Sequence, residues 1–185
     1  MGKVYEQLDD TLVRFIGRQH VFFVGTAPDS PEGHLNISPK GLDTFRILGP
    51  KSVAYLDLTG SGIETVAHLG ENGRITIMFC AFEGRPLIVR LQGRGRVVEP
   101  GDADWDGLIE QFRDYPGVRS VVVVDVERVS SSCGFAVPLY EYQGERKQLI
   151  EYAEKKGPEG LRMYRAQKNR RSIDGLAGLR SVGDD

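Results

Sequence analysis

The sequence is short of several things at once. It holds two cysteines, one tryptophan and three histidines in 185 residues. Cys80 and Cys133 sit in separate segments and specify neither a disulfide framework nor a zinc site. His20, His34 and His68 lack metal-ligand spacing, so ordinary hydrogen-bonded histidines are expected. No charge dominates: 24 Lys and Arg face 26 Asp and Glu, for a net −2. That balance gives no reason to expect nucleic acid or an anionic membrane as partner. Long apolar runs are missing too. The longest, Val121–Val124 with Val126, falls far short of the ~20 residues that span a bilayer. The opening MGKVYEQLDD carries acids where a signal peptide has its apolar region, so a cytoplasmic location is expected. There is no internal repeat, no P-loop, no dinucleotide fingerprint and no recognisable Ser-His-Asp or Cys-His arrangement.

What is present is the composition of an ordinary globular chain, 40% hydrophobic and 27% charged. One domain over residues 1–180 with a loose tail at 181–185 is expected. Leu8, Leu12, Phe15 and Ile16 repeat at helical spacing and Gly17 stops them. Strands are expected at 21–26 and 34–38, paired as a hairpin, with Pro39 stopping or kinking the ladder. Further strands are read at Ser52–Leu58, 74–82, 86–98 and 120–129. Gly93 and Gly95 inside a strand imply a bulge or a close approach. Helices are expected at 64–69, after a cap at Asp102 or Asp104, and on both sides of Gly157-Pro158. About six strands not regularly separated by helices argue against a doubly wound sheet. They favour a mainly β, antiparallel barrel or sandwich with peripheral helices.

Two segments carry candidate chemistry. In Asn36-Ile37-Ser38-Pro39-Lys40-Gly41 a strand ends with a hydroxyl and an ammonium two residues apart, both suited to a phosphate. In Asp57-Leu58-Thr59-Gly60-Ser61-Gly62-Ile63-Glu64-Thr65 a glycine-rich turn opens a helix. Such a turn can aim backbone N–H groups at an anion, with hydroxyls beside them. Alone, the first reads as a polar strand end and the second as a turn. Together they flank one neighbouring strand and can enclose one phosphate. Arg162, Arg165, Lys168, Arg170 and Arg171 form a basic run whose default reading is a solvated helix face. Cys133 is expected to act as a small buried apolar residue.

The order of these elements, the Ser-Pro-Lys strand end, the Tyr55–Thr65 strand-turn-helix and Ile88–Arg96 resemble the pyridoxamine 5′-phosphate oxidase-like FMN-binding split-barrel proteins. The resemblance implies a six-stranded antiparallel split β-barrel, a homodimer and FMN held at the subunit interface. It implies that Asn36, Ile37 and Ser38 lie along the flavin ring and that Thr59 lies between ring and phosphate. Lys40, Ser61 and Thr65 would hold the phosphate with the turn at Gly62, and Gln92 and Arg94 would reach the cleft. The function so implied is a flavin-dependent oxidoreductase acting on a small molecule. A non-catalytic flavin-binding module, or a split barrel using haem or a deazaflavin, is the alternative. The sequence departs from the authentic oxidases in two places. Gly62-Ile63-Glu64 stands where they carry an Arg-Lys pair. The run 168–176 lacks their Arg and His, which argues against pyridoxamine phosphate as substrate.

Overall fold

The computed structural model describes residues 2–182. Eight strands form one antiparallel sheet: β1 (Lys3–Tyr5), β2 (Phe22–Thr26), β3 (Asn36–Lys40), β4 (Phe45–Gly49), β5 (Ser52–Leu58), β6 (Arg74–Cys80), β7 (Ile88–Val98) and β8 (Val118–Ser132). Their order is β3-β2-β6-β7-β8-β5-β4, with β1 also on β8. The sheet curls without closing, so the expected antiparallel split barrel with peripheral helices is observed, with eight strands instead of six.

The two additional strands have weak sequence signals for physical reasons. β1 has three residues and pairs only with the far end of β8. β4 is a half-buried edge strand joined to β5 by a hairpin with a register shift between Ile47 and Gly49. β3 pairs with β2 in the expected hairpin and runs through Pro39 to Lys40. β3 is an edge, so the missing N–H of Pro39 costs the sheet no internal bond.

Four α-helices surround the sheet: α1 (Asp10–Ile16), α2 (Glu64–Glu71), α3 (Trp105–Ile109) and α4 (Gln148–Lys168). Asp9 caps α1 by accepting the Leu12 N–H, and Gly17 ends it, as expected. Leu12 and Ile16 of α1 plug the barrel core with Val24, Tyr55, Ile77 and Leu91. β5 and β8 are buried on both faces. Val53 and Tyr55 enter that core, while Ala54 and Leu56 enter a second cluster closed by Phe112 of the segment after α3. Neither candidate carboxylate caps α3: Asp102 accepts the Glu99 N–H, and Asp104 pairs with Arg96. α4 is two helical runs, 148–156 and 158–168, meeting at Gly157, whose φ of 64° needs glycine. At the C-terminus, only the first two residues of the expected tail are described. The Ser181 N–H is held by buried Glu99, and residues 180–182 form a 3₁₀ turn. Residues 183–185 lie outside the described residues. No helix among the described residues is long and apolar enough to cross a membrane.

Candidate functional site

An open cleft of about 2170 Å³ runs from β3 and the turn after β5 to the segment after β8. Alternation along β3 sorts its side chains. Asn36, Ser38 and Lys40 take one face and are half-buried, while Ile37 takes the other and is 73% exposed. The first three line the cleft and Ile37 does not.

Under one end of the cleft lies a charge cluster that the motifs did not reveal. Asp57, near the end of β5, is 1% exposed. Its carboxylate accepts Nε of Arg119 at 2.7 Å and Nη2 at 3.4 Å, the Lys40 Nζ at 3.3 Å and the Ser120 hydroxyl at 3.3 Å. Burial alone would raise the Asp57 pKa. The Arg119 guanidinium and the Lys40 ammonium reverse this and hold it below its ordinary value of 3.8. The two cations and one anion leave the cluster with one positive charge.

Arg119, itself 5% exposed, also shapes the glycine turn. Its Nη1 donates to the Gly60 carbonyl at 3.2 Å and its Nη2 to the Gly62 carbonyl at 2.8 Å. Fully buried Asn169 accepts from Arg119 at 2.9 Å, and its amide donates to the Gly60 and Ser61 carbonyls at 2.9 and 3.4 Å. Three successive carbonyls are thus turned inward. In a planar trans peptide the next N–H points the opposite way, so the amides of Ser61 and Gly62 face away from the guanidinium. The Ile63 N–H is taken by the Glu64 carboxylate at 2.9 Å. Thr59 is pinned by donating to the Gly117 carbonyl at 2.7 Å and accepting from Arg165 at 2.9 Å.

A neutral network lies beside this cluster. Ser38 donates to the Asn36 carbonyl at 3.1 Å, and the Asn36 amide donates to Thr65 at 2.9 Å and to Thr26 at 3.3 Å. The structure therefore joins both candidate segments, Asn36–Ser38 with Thr65 and Lys40 with the Thr59–Gly62 turn. Thr59, Gly60, Gly62 and Thr65 line the cleft, but Ser61 does not. Gln92 and Arg94 are not brought there. Gln92 accepts from Arg128, while Arg94 donates to the Asn72 carbonyl and pairs with Glu127. Arg46 lies on β4 and holds Asp43 and the Gln111 carbonyl.

Arg119 and Asn169 were missed by sequence reasoning, and Asp57 opened the second candidate segment without a role assigned to it. Asp57 and Arg119 had a signal, since a charge at the end of an otherwise apolar strand needs a partner when buried. Asn169 had none. Arg165, expected on a solvated face, points inward to Thr59 and the Val118 carbonyl. Cys133 is exposed and lines the cleft, contrary to the buried role expected of it. The cysteines are free, and no group of three or more potential metal ligands exists among the described residues. Each histidine has an ordinary partner: His20 stacks on Tyr142, His34 binds Asp174 and His68 bonds Thr26.

An open antiparallel barrel with a cleft at one end of its edge hairpin defines a split-barrel protein. Comparison with known proteins makes the class specific. The family profile described as pyridoxamine 5′-phosphate oxidase matches residues 8–133. The pyridoxamine 5′-phosphate oxidase family protein ustO of Aspergillus flavus is 41% identical over 98% of this chain and 79% of its own length. The chain belongs to the pyridoxamine 5′-phosphate oxidase family. Two solved structures share the fold. HupZ of Group A Streptococcus has a TM-score of 0.52 at 22% identity, over 66% of this chain and 91% of that one. A candidate pyridoxamine 5′-phosphate oxidase of Lactobacillus delbrueckii has a TM-score of 0.51 at 20% identity, over 68% of this chain and 94% of that one.

Proposed function

We propose that this protein is an FMN-binding oxidoreductase acting on a small molecule, active as a homodimer. The observation that carries the reading is the turn at Thr59–Gly62, whose carbonyls are drawn inward by Arg119 and Asn169. The donors left over suit a phosphate: the amide of Gly62, the Thr65 hydroxyl and the Lys40 ammonium. Lys40 spends one of its three N–H donors on Asp57 and keeps two. The donor set therefore fits the cofactor that the family implies.

When bound, FMN supplies the electron-transfer chemistry, and the protein positions it. In this reading Lys40 and Thr65 hold the phosphate and Asp57 keeps the ammonium in place. Ser38 offers its hydroxyl oxygen to the ring, and Asn36, whose amide hydrogens go to Thr26 and Thr65, holds Ser38 in place. Gln92 and Arg94 reach a cofactor only through a partner subunit, since their own chain holds them elsewhere. No side chain needs to act as a nucleophile.

The absorption spectrum of the purified protein tests the cofactor. Bands at roughly 370 and 450 nm are expected, bleached by NADH or NADPH and restored in air. A Soret band, or a protein that takes up no FMN, overturns the reading. Lys40→Ala tests the phosphate site. One charge-assisted bond is worth ~1.5–3 kcal/mol, so FMN should bind ten- to hundredfold more weakly while riboflavin changes less. Lys51→Ala should change neither. Equal weakening of both ligands by Lys40→Ala contradicts the phosphate role.

A further inference from the structure

His68 lies on α2, fully buried, one turn after Thr65, with Nδ1 2.9 Å from the Thr26 hydroxyl. Its Nε2 is buried with no hydrogen-bond partner among the described residues. The imidazole is thus the inner terminus of a chain of hydrogen bonds: His68, Thr26, Asn36, and then Thr65 and Ser38 at the cleft.

The direction of that chain matters, because hydroxyls donate once and the Asn36 amide has two unlike ends. The Asn36 nitrogen lies between the two threonines, so both hydroxyl oxygens accept from it. Thr26 has no other acceptor for its own proton among the described residues, so the proton goes to His68, whose Nδ1 would then accept and whose Nε2 would carry the hydrogen. At the other end, Thr65 has already accepted, so its proton is left to donate. The reverse polarity requires a proton on Nδ1 and turns the Asn36 oxygen toward both threonines. Thr65 would then spend its proton inward on Asn36.

We propose that His68 is a positioning residue: as the neutral Nε2–H tautomer it fixes the polarity of the Thr26–Asn36–Thr65 chain and leaves the Thr65 hydroxyl a donor toward a bound anionic group. Burial pushes the imidazole pKa down, against the opposing carboxylates of Asp174, Glu64 and Glu71, and so keeps the ring neutral. The identity of that group as the FMN phosphate rests on the function proposed above, but the tautomer does not.

Nitrogen NMR of the flavin-free protein with labelled histidine reads the tautomer directly. A bare Nδ1 and a protonated Nε2 are expected at neutral pH. The opposite pattern, or a charged ring, overturns the proposal whether or not flavin binds. The second arm measures FMN against riboflavin binding in three variants. Thr26→Val keeps the shape and breaks the chain, and His68→Leu removes the acceptor. Both should lose about tenfold in FMN affinity relative to riboflavin. His68→Asn puts an acceptor near the Nδ1 position and should restore most of it, which a merely space-filling role would not do. An unchanged FMN-to-riboflavin ratio in Thr26→Val overturns the positioning role. Failure of the wild type to bind any flavin leaves the tautomer result standing and sinks the functional reading alone.

Discussion

Asp57 concentrates more consequence than any other single residue. Its folded pKa is depressed below 3.8, so it stabilises the fold at higher pH and loses that contribution as the pH falls through its folded value. Thermal melts of wild type and Asp57→Asn should therefore differ by a constant amount from about pH 5 to 8 and converge below about pH 4. A difference that grows on acidification contradicts this sign. Arg119→Leu is expected to cost about 3–5 kcal/mol in a denaturant titration, because it leaves a buried carboxylate with only the Lys40 ammonium and the Ser120 hydroxyl. The sequence shows why such residues are hard to rank. Lys40 stood out beside a Ser-Pro turn, whereas Arg119 heads a valine run whose burial only the finished sheet reveals. Asn169 looks like any polar residue in a basic tail, and its function depends on a contact 109 residues back in the chain.

At the scale of elements, the strand pattern was legible wherever alternation or a buried run was long. The hairpin of β2 with β3 and the long β8 are where hydrophobic periodicity placed them. β1 and β4 escaped because short edge strands bury too little to leave a period. Glycine spacing was informative as well. A Cβ at Gly93 would lie 2.0 Å from the Asp125 carbonyl oxygen, where β7 shifts register against β8. Gly93→Ala should therefore cost at least ~2–3 kcal/mol, read as a fall in the urea midpoint. Gly49→Ala, with nothing within 4 Å, provides the contrast and should cost far less.

For the whole molecule, the open barrel leaves apolar side chains without cover. Leu35 and Ile37 stand out on and beside edge strand β3, and Phe135 and Tyr140 stand out after β8. A two-fold pairing that covers such patches is the expected remedy, since an uncovered edge invites disordered association. Sedimentation should give twice the 20.5 kDa chain mass when flavin is bound. A stable flavin-loaded monomer rules the pairing out. The antiparallel class of this architecture followed from strand and helix order. Which faces stay open did not, because the curl of a sheet is a property of all its strands together.

The tie from Asn169 and Arg165 to the glycine turn has a consequence in time. Residues 8–133 contain Lys40, Asp57, Arg119 and Thr65, yet the turn they surround is held by side chains near the end of the chain. A ribosome delivers those side chains after all eight strands. The barrel strands can pair while α4 is still being made, and Arg119 can then draw in the Gly60 and Gly62 carbonyls, but the turn is held on all sides only once Asn169 has left the exit tunnel. A nascent chain stalled before that point should therefore show native strand protection and no flavin fluorescence quenching, with both present after release.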